Sequence, residues 1–297
     1  MFWATLLVTL AAWSGFLLCQ ISILRAVRQT SLLLAARWLI AAGLAVCLMT
    51  TTDLLLGLWP NRTADYGWCL TAILLLCPPM AVLGARRPGV RVWSLFILLP
   101  MVIVLSWPVW TLLLQGSEAR GLALEVPTVL AFGFVLVMSV GNYLGTRFAI
   151  SAVVYGIACG LLMATCTGWS AVPESNVPAG RLLAVTLLIA ATMPARRSRV
   201  TSASRHPVNR LWDDFRNLFG NVWALRMVER INALAVQEGW TARISYDGFP
   251  ESPAGHLSEN SVEIVAAYHW LFRRFVDEEW ITKRLEPYRR FAEALSC

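Results

Sequence analysis

The chain has 297 residues, of which 57% are hydrophobic and 14% are charged, and its mean hydropathy is +0.60. Soluble domains carry about 25% charged residues, so this composition excludes an ordinary soluble protein and indicates an integral membrane protein. Residues 1–199 hold thirteen arginines against five acidic residues, whereas residues 200–297 hold twelve basic against thirteen acidic residues. The net charge of +7 therefore comes from arginines beside apolar runs, and no nucleic-acid partner is expected.

Seven apolar runs follow one another from the N-terminus, and most approach the ~20 residues that cross a bilayer. They lie near residues 2–24, 38–58, 68–84, 92–114, 126–144, 148–169 and 181–194. The first run has no basic residue before it and is followed by Arg25 and Arg28. This flank is typical of an uncleaved helix whose N-terminus lies outside, and not of a cleaved signal peptide.

The arginines between these runs alternate in number from one connection to the next. One set of segments holds Arg25, Arg28, Arg86, Arg87, Arg91, Arg147, Arg196, Arg197 and Arg199, and the other set holds Arg62, Arg120 and Arg181. The bias predicts about seven transmembrane helices, with the N-terminus outside and the C-terminus in the cytoplasm. The preference for arginine over lysine, with many alanines and leucines, favours a bacterial inner membrane.

The composition changes after residue 199. We interpret residues 200–207 as a polar linker and 208–297 as a small cytoplasmic α+β domain. Residues 240–246 alternate apolar with polar side chains and predict a strand that ends at an Asp-Gly turn. The predicted fold class is therefore mainly α: a polytopic membrane helix bundle, residues 1–199, followed by a small α+β domain.

One face of the first helix in this domain is strongly aromatic. At helical spacing, Trp212, Phe215, Phe219 and Trp223 lie on one side, opposite a polar arc. A domain of about 90 residues is at the low end of what buries its own core. The face is thus predicted either to be buried in a core or to dock on another protein.

The stretch 132–160 contains the most suggestive intramembrane residues. It holds two Gly-x-x-x-Gly spacings, Gly141 with Gly145 and Gly156 with Gly160, and the polar residues Ser139 and Asn142 lie beside the first of them. Small residues let membrane helices approach, and an amide there seeks a partner. We interpret Asn142 as an interhelical hydrogen-bonding residue, with a ligand or ion contact in the middle of the bundle as the alternative.

Asp53 is the only acidic residue well inside an apolar run. A charged carboxylate at the centre of a membrane helix costs about 2.5 kcal/mol or more, so we expect Asp53 near the outer surface or paired. Arg62 or Arg120 is a candidate partner, because both are predicted on the same side. A proton or substrate site is the alternative.

Residues that ligate metals or cofactors are poorly placed for that role. The seven cysteines form no Cys-x-x-Cys pair, and all three histidines follow residue 200. The single lysine, Lys283, lies outside the apolar runs, which excludes a retinal Schiff base. No glycine-rich phosphate loop follows His206, which excludes a sensor kinase. We predict no cofactor, no metal and no nucleotide ligand.

These observations favour a non-catalytic accessory, scaffold or assembly subunit of a larger membrane complex. Its partners would be the lipid bilayer and other membrane-protein subunits. A first alternative is a transporter or channel whose path passes Asn142, Asp53 and the Pro78-Pro79 break. A second alternative is a membrane-surface transferase that uses outer-loop acids, with Glu118, Arg120 and Glu125 as its functional groups.

Overall fold

The computed structural model describes residues 2–55, 57, 61–87, 90–115, 122, 124–167, 173–197, 207–250 and 261–285. Over these ranges the chain is mainly helical and contains no β-sheet. The helices are α1 (Phe2–Ala26), α2 (Leu33–Met49), α3 (Asn61–Leu83), α4 (Val90–Trp93), α5 (Leu99–Gln115), α6 (Val126–Gly141), α7 (Ala149–Cys166), α8 (Val177–Arg197), α9 (Pro207–Gln237) and α10 (Ser261–Phe272). A further helical segment spans 278–285. The predicted linker lies outside the described residues except for Pro207, which begins α9.

Four helical stretches within the described ranges are long and apolar enough to cross a membrane. They are Leu33–Asp53, Thr63–Leu83, Leu95–Leu114 and Ala149–Cys166. The apolar stretches Val126–Gly141 and Val177–Met193 are shorter. The prediction of a helical membrane protein is confirmed. The lengths of the apolar helices support four spans, and not the seven that were predicted.

Two predicted runs begin several residues after the start of the corresponding helix, because the prediction ended each run at a charged residue. The last was expected from residue 181, but α8 begins at Val177, so Arg181 lies within its second turn. The third was expected from residue 68, but α3 begins at Asn61 and includes Asp65. A helix tolerates these charges because the two side chains pair with each other.

The C-terminal helices pack against one end of the bundle, which we call the tail end. The Ser31 N–H, in the α1–α2 connection, donates to the Phe275 carbonyl at 2.7 Å, and the Asp277 N–H donates to the Gln29 carbonyl at 2.8 Å. Asp53 lies twenty residues beyond Leu33 along α2 and its π-helical extension. At 1.5 Å per residue this is about 30 Å, so Asp53 lies at the opposite end, which we call the far end.

The two prolines in α3 do not end the helix, which continues to Leu83. Pro79 has no N–H to offer the Leu75 carbonyl four residues earlier. The Tyr155 hydroxyl of α7 donates to that carbonyl at 2.7 Å. The proline pair therefore provides a contact between α3 and α7, in place of the break expected to line a path.

The predicted aromatic face of α9 is buried against the same chain. Trp212, Phe215 and Phe219 are fully buried, and Trp223 is 7% exposed. Their core also contains residues of α10, of the turn after it and of the tail end of the bundle: Tyr268, Phe272, Phe275, Val27, Leu32, Ala35 and Val82. A partner protein therefore has no access to this face, and the tail shares one core with the bundle.

The prediction of a strand at residues 240–246 is wrong. Asn232 of α9 binds both polar groups of Ile244: its Oδ1 accepts from the Ile244 N–H at 2.9 Å, and its Nδ2 donates to the Ile244 carbonyl at 2.9 Å. Asn209 binds the Phe249 N–H and carbonyl in the same way, also at 2.9 Å. Since side-chain amides already satisfy these backbone groups, the segment needs no neighbouring strand, and the tail is helical with an ordered loop, not α+β.

We expect Asn232→Ala to destabilise the tail by about 1–3 kcal/mol, because it leaves the N–H and carbonyl of Ile244 without their partner. Hydrogen–deuterium exchange over residues 240–249 measures the effect. Gln237→Ala, at an exposed position of the same helix, is the control and should leave exchange unchanged. Equal exchange in both variants would show that the loop does not depend on the amide.

Candidate functional site

The first polar site is formed where the turn between α6 and α7 meets α9. α9 is interrupted at Gly220, which has φ 77° and ψ −175°. A left-handed, extended residue of this kind is essentially restricted to glycine, since a Cβ would be strained there. The interruption removes nearby backbone groups from the helical hydrogen-bond ladder, and these groups need partners.

Asn142, which follows the last residue of α6, supplies those partners. Its main-chain carbonyl accepts from the Asn221 N–H at 2.7 Å. Its Oδ1 accepts from the Val222 N–H at 3.0 Å, and its Nδ2 donates to the Phe219 carbonyl at 3.3 Å. Asn142 therefore caps the second half of α9, and we call this contact the Asn142–Gly220 junction.

The capping is reciprocal, because α9 also binds backbone groups at the end of α6 and in the turn that follows it. The Asn221 Nδ2 donates to the Gly141 carbonyl at 3.2 Å and also to the Leu144 carbonyl. The Arg147 N–H donates to the Asn217 Oδ1 at 2.9 Å. Two helix ends that would otherwise carry unpaired polar groups thus satisfy each other.

Tyr246 supports the junction from the tail. Its hydroxyl donates to the Asn221 Oδ1, which orients the Asn221 amide so that Nδ2 faces α6. Burial raises the pKa of Tyr246, although the nearby Arg216 guanidinium acts in the opposite direction. The phenol consequently remains protonated and able to donate.

The remaining residues of the 132–160 stretch have different positions. Ser139 is buried and its hydroxyl donates to the Val135 carbonyl of its own helix at 2.7 Å. A Cβ at Gly156 would lie 2.6 Å from Val140, so α6 and α7 approach closely there, whereas a Cβ at Gly160 would lie 3.8 Å from Leu136. Gly145 occupies a left-handed turn with φ 84°, and Gly141 has no neighbour within 4 Å of where its Cβ would lie. Close helix approach therefore depends on Gly156.

The second polar site lies at the far end and is centred on Arg181. Its Nη1 lies 2.7 Å from the Asp53 Oδ2, and its Nη2 pairs with Asp65. The Trp68 indole N–H donates to the same Asp53 oxygen at 2.6 Å, and the guanidinium lies 5.6 Å from the Trp68 ring. Arg181 is 4% exposed. We call these four residues the Arg181 cluster.

Arg181 pairs with Asp53 and also with Asp65, a pairing that the sequence analysis did not predict. Sequence reasoning missed Arg181 because it was assigned to a loop. The side chain of Arg62 and the whole of Arg120 lie outside the described residues.

The two sites do not form one path. Asn142 is at the tail end and is occupied by α9, whereas Asp53 is at the far end and is occupied by Arg181. Of the residues proposed for transferase chemistry, Glu118 lies outside the described residues together with Arg120, and Glu125 is exposed just before α6.

No family model matches the chain, and neither a curated protein nor a solved structure is significantly similar to it.

Proposed function

We propose that the chain is a multi-pass protein of the bacterial inner membrane, with its N-terminus outside and its C-terminus in the cytoplasm. Its seven crossings would be the four long stretches, α1 and the shorter α6 and α8. Three connections between helices support this orientation. They hold Arg28, Arg87 and Arg147, and all three contact or adjoin the C-terminal helices at one end of the bundle. Cytoplasmic loops carry the excess of arginine. In this orientation the tail lies at the cytoplasmic surface.

We further propose that the protein is a non-catalytic structural subunit of a larger membrane complex. The observation that carries this proposal is the Asn142–Gly220 junction, in which Asn142 makes three hydrogen bonds to the interrupted helix. The junction and the shared aromatic core fix the cytoplasmic helices to the bundle as one body. A fixed connection suits a scaffold that holds a partner in one orientation, whereas a carrier requires parts that move between two states.

The native size of the protein tests this proposal. The chain has a mass of 33.0 kDa, and we expect it to be extracted in polymer-bounded native membrane discs as part of a particle of larger protein mass. Mass photometry and cross-linking of these discs measure that mass and identify the neighbouring chains. A lone protomer in discs taken from its own membrane would contradict a subunit role.

A second candidate function, transport, is favoured by the Arg181 cluster. Ionisable residues buried in a membrane bundle are costly and often mark ion or proton paths. Asp53 and Asp65 would carry the path at the far end, without Asn142 and the proline pair, which have other partners. Proton flux into liposomes distinguishes the two candidates, because Asp53→Asn would abolish flux through a carrier while leaving the assembly of a scaffold intact.

A further inference from the structure

A groove with a volume of about 1150 Å³ lies at the tail end, between the start of the α4–α5 region and the C-terminal helices. It is lined by Leu83, Gly84, Arg86, Arg87, Val92, Trp93, Phe96, Ile97, Trp223, Arg226, Trp270, Arg273 and Arg274. We call it the arginine groove. It plays no part in the Asn142–Gly220 junction or in the Arg181 cluster.

All the charged residues that line the groove are positive. Five of its lining residues are arginines and none is acidic. Within the described part of the chain, only Arg87 of these five pairs with a carboxylate, that of Asp277 at 2.6 Å. Concentrated positive charge with exposed guanidinium groups attracts an anion, and planar guanidinium groups bind phosphate oxygens in pairs.

Two of the arginines are held over aromatic rings. The Arg226 guanidinium lies 5.0 Å from the Trp223 ring, and the Arg274 guanidinium lies 5.0 Å from the Trp270 ring. The Arg87 N–H also donates to the Arg274 carbonyl at 2.8 Å, which joins the α3–α4 connection to the tail. The side chains of Arg226 and Arg274 are therefore preorganised, which reduces the entropy lost when a ligand binds.

A second wall, formed by the start of the α4–α5 region, is apolar. Val92 and Phe96 are 59% and 67% exposed, and Ile97 is 39% exposed. They lie where the apolar stretch Leu95–Leu114 begins. Trp93 packs over Gly84, and its indole N–H donates to the Met80 carbonyl at 3.1 Å, which fixes that end of the groove. A ligand that fills both walls must be anionic at one end and apolar along its length.

We propose that the arginine groove binds one anionic phospholipid from the leaflet on the tail side. The phosphate contacts Arg226 and Arg273, and an acyl chain lies along Val92 and Phe96. Basic groups at a membrane surface bind anionic headgroups in this way. A free phosphate would use the arginines alone and leave the exposed apolar wall unoccupied.

Native mass spectrometry of the full chain, delipidated in a mild detergent, tests the proposal. The probes are dioleoylphosphatidylglycerol, dioleoylphosphatidylcholine with the same chains, and glycerol 3-phosphate as the free anion. We expect phosphatidylglycerol to bind at least about tenfold more tightly than phosphatidylcholine. Equal binding of the two lipids, or displacement of phosphatidylglycerol by an equal concentration of glycerol 3-phosphate, would overturn the proposal.

Matched variants locate the binding. Arg226→Gln with Arg273→Gln should remove the preference for phosphatidylglycerol, whereas Arg230→Gln with Arg243→Gln, which removes the same charge outside the groove, should retain it. Phe96→Ala should weaken phosphatidylglycerol binding, and Phe134→Ala, at an equally exposed position of α6, should not. Equal losses in the groove and control variants would place the lipid elsewhere and overturn the assignment.

Discussion

Replacement of Arg181 by glutamine is expected to destabilise the folded protein by about 3–5 kcal/mol, because it leaves the partly buried carboxylates of Asp53 and Asp65 without their shared cation. The two acidic side chains are 15% and 26% exposed, so solvent compensates only partly for the lost pairing. Unfolding of the purified protein in mixed micelles, titrated with a denaturing detergent, measures the loss. The large effect arises from breaking a buried pair, since formation of such a pair contributes much less net stability.

Two variants separate charge from geometry in the Arg181 cluster. Arg181→Gln combined with Asp53→Asn should recover part of the lost stability, because it removes one of the two carboxylate charges that no longer face the guanidinium. Arg28→Gln, at an exposed position of the tail end, is the control and should change stability by less than about 0.5 kcal/mol. If Arg181→Gln proved as stable as this control, the guanidinium would not hold the far end together, and the transport candidate would gain support.

Replacement of Gly220 by alanine is expected to detach the tail from the bundle, at a cost of about 3 kcal/mol or more. A Cβ on this residue is strained by its φ of 77° and would lie 2.5 Å from the main-chain carbonyl oxygen of Asn142. That oxygen belongs to the backbone at the end of α6, so it cannot rotate away as a flexible side chain would. Limited proteolysis and hydrogen–deuterium exchange over residues 217–223 measure the release.

Gly239→Ala is the matched control for this experiment. Gly239 has a similar φ of 71°, but a Cβ there would have no neighbour within 4 Å. It therefore reports conformational strain alone, at about 1–2 kcal/mol. Similar effects of the two substitutions would mean that contact with Asn142 contributes nothing, and the rigid connection on which the proposed scaffold function rests would be lost.

Several residues that the sequence analysis singled out have partners that it did not indicate. Asn142 was recognisable because an amide in an apolar run needs a hydrogen bond. Its partner is the interrupted backbone at Gly220, seventy-eight residues later, and a local pattern carries no information about so distant a contact. The same applies to the face containing Trp212 and Phe219, whose periodicity predicted burial but not that its own bundle would cover it.

Other residues were placed in the wrong kind of segment. Arg181 was counted among the arginines between the runs, but it lies within α8, where it pairs with Asp53 and Asp65. Residues 240–246 alternate as a strand does, yet two asparagine side chains of α9 bind the backbone groups of this loop. In both cases the prediction assumed that a polar group is satisfied locally.

The sequence by itself determined that this is a helical membrane protein, since composition and run length depend on the bilayer, which acts on each helix separately. It also determined which ends of the runs carry arginine. Only the tertiary structure decided which polar groups meet: Asn142 with the break at Gly220, Arg181 with two acids, and five arginines around one groove. These pairings depend on how helices distant in sequence pack together, because each buried polar group must find its partner wherever the fold brings one within reach.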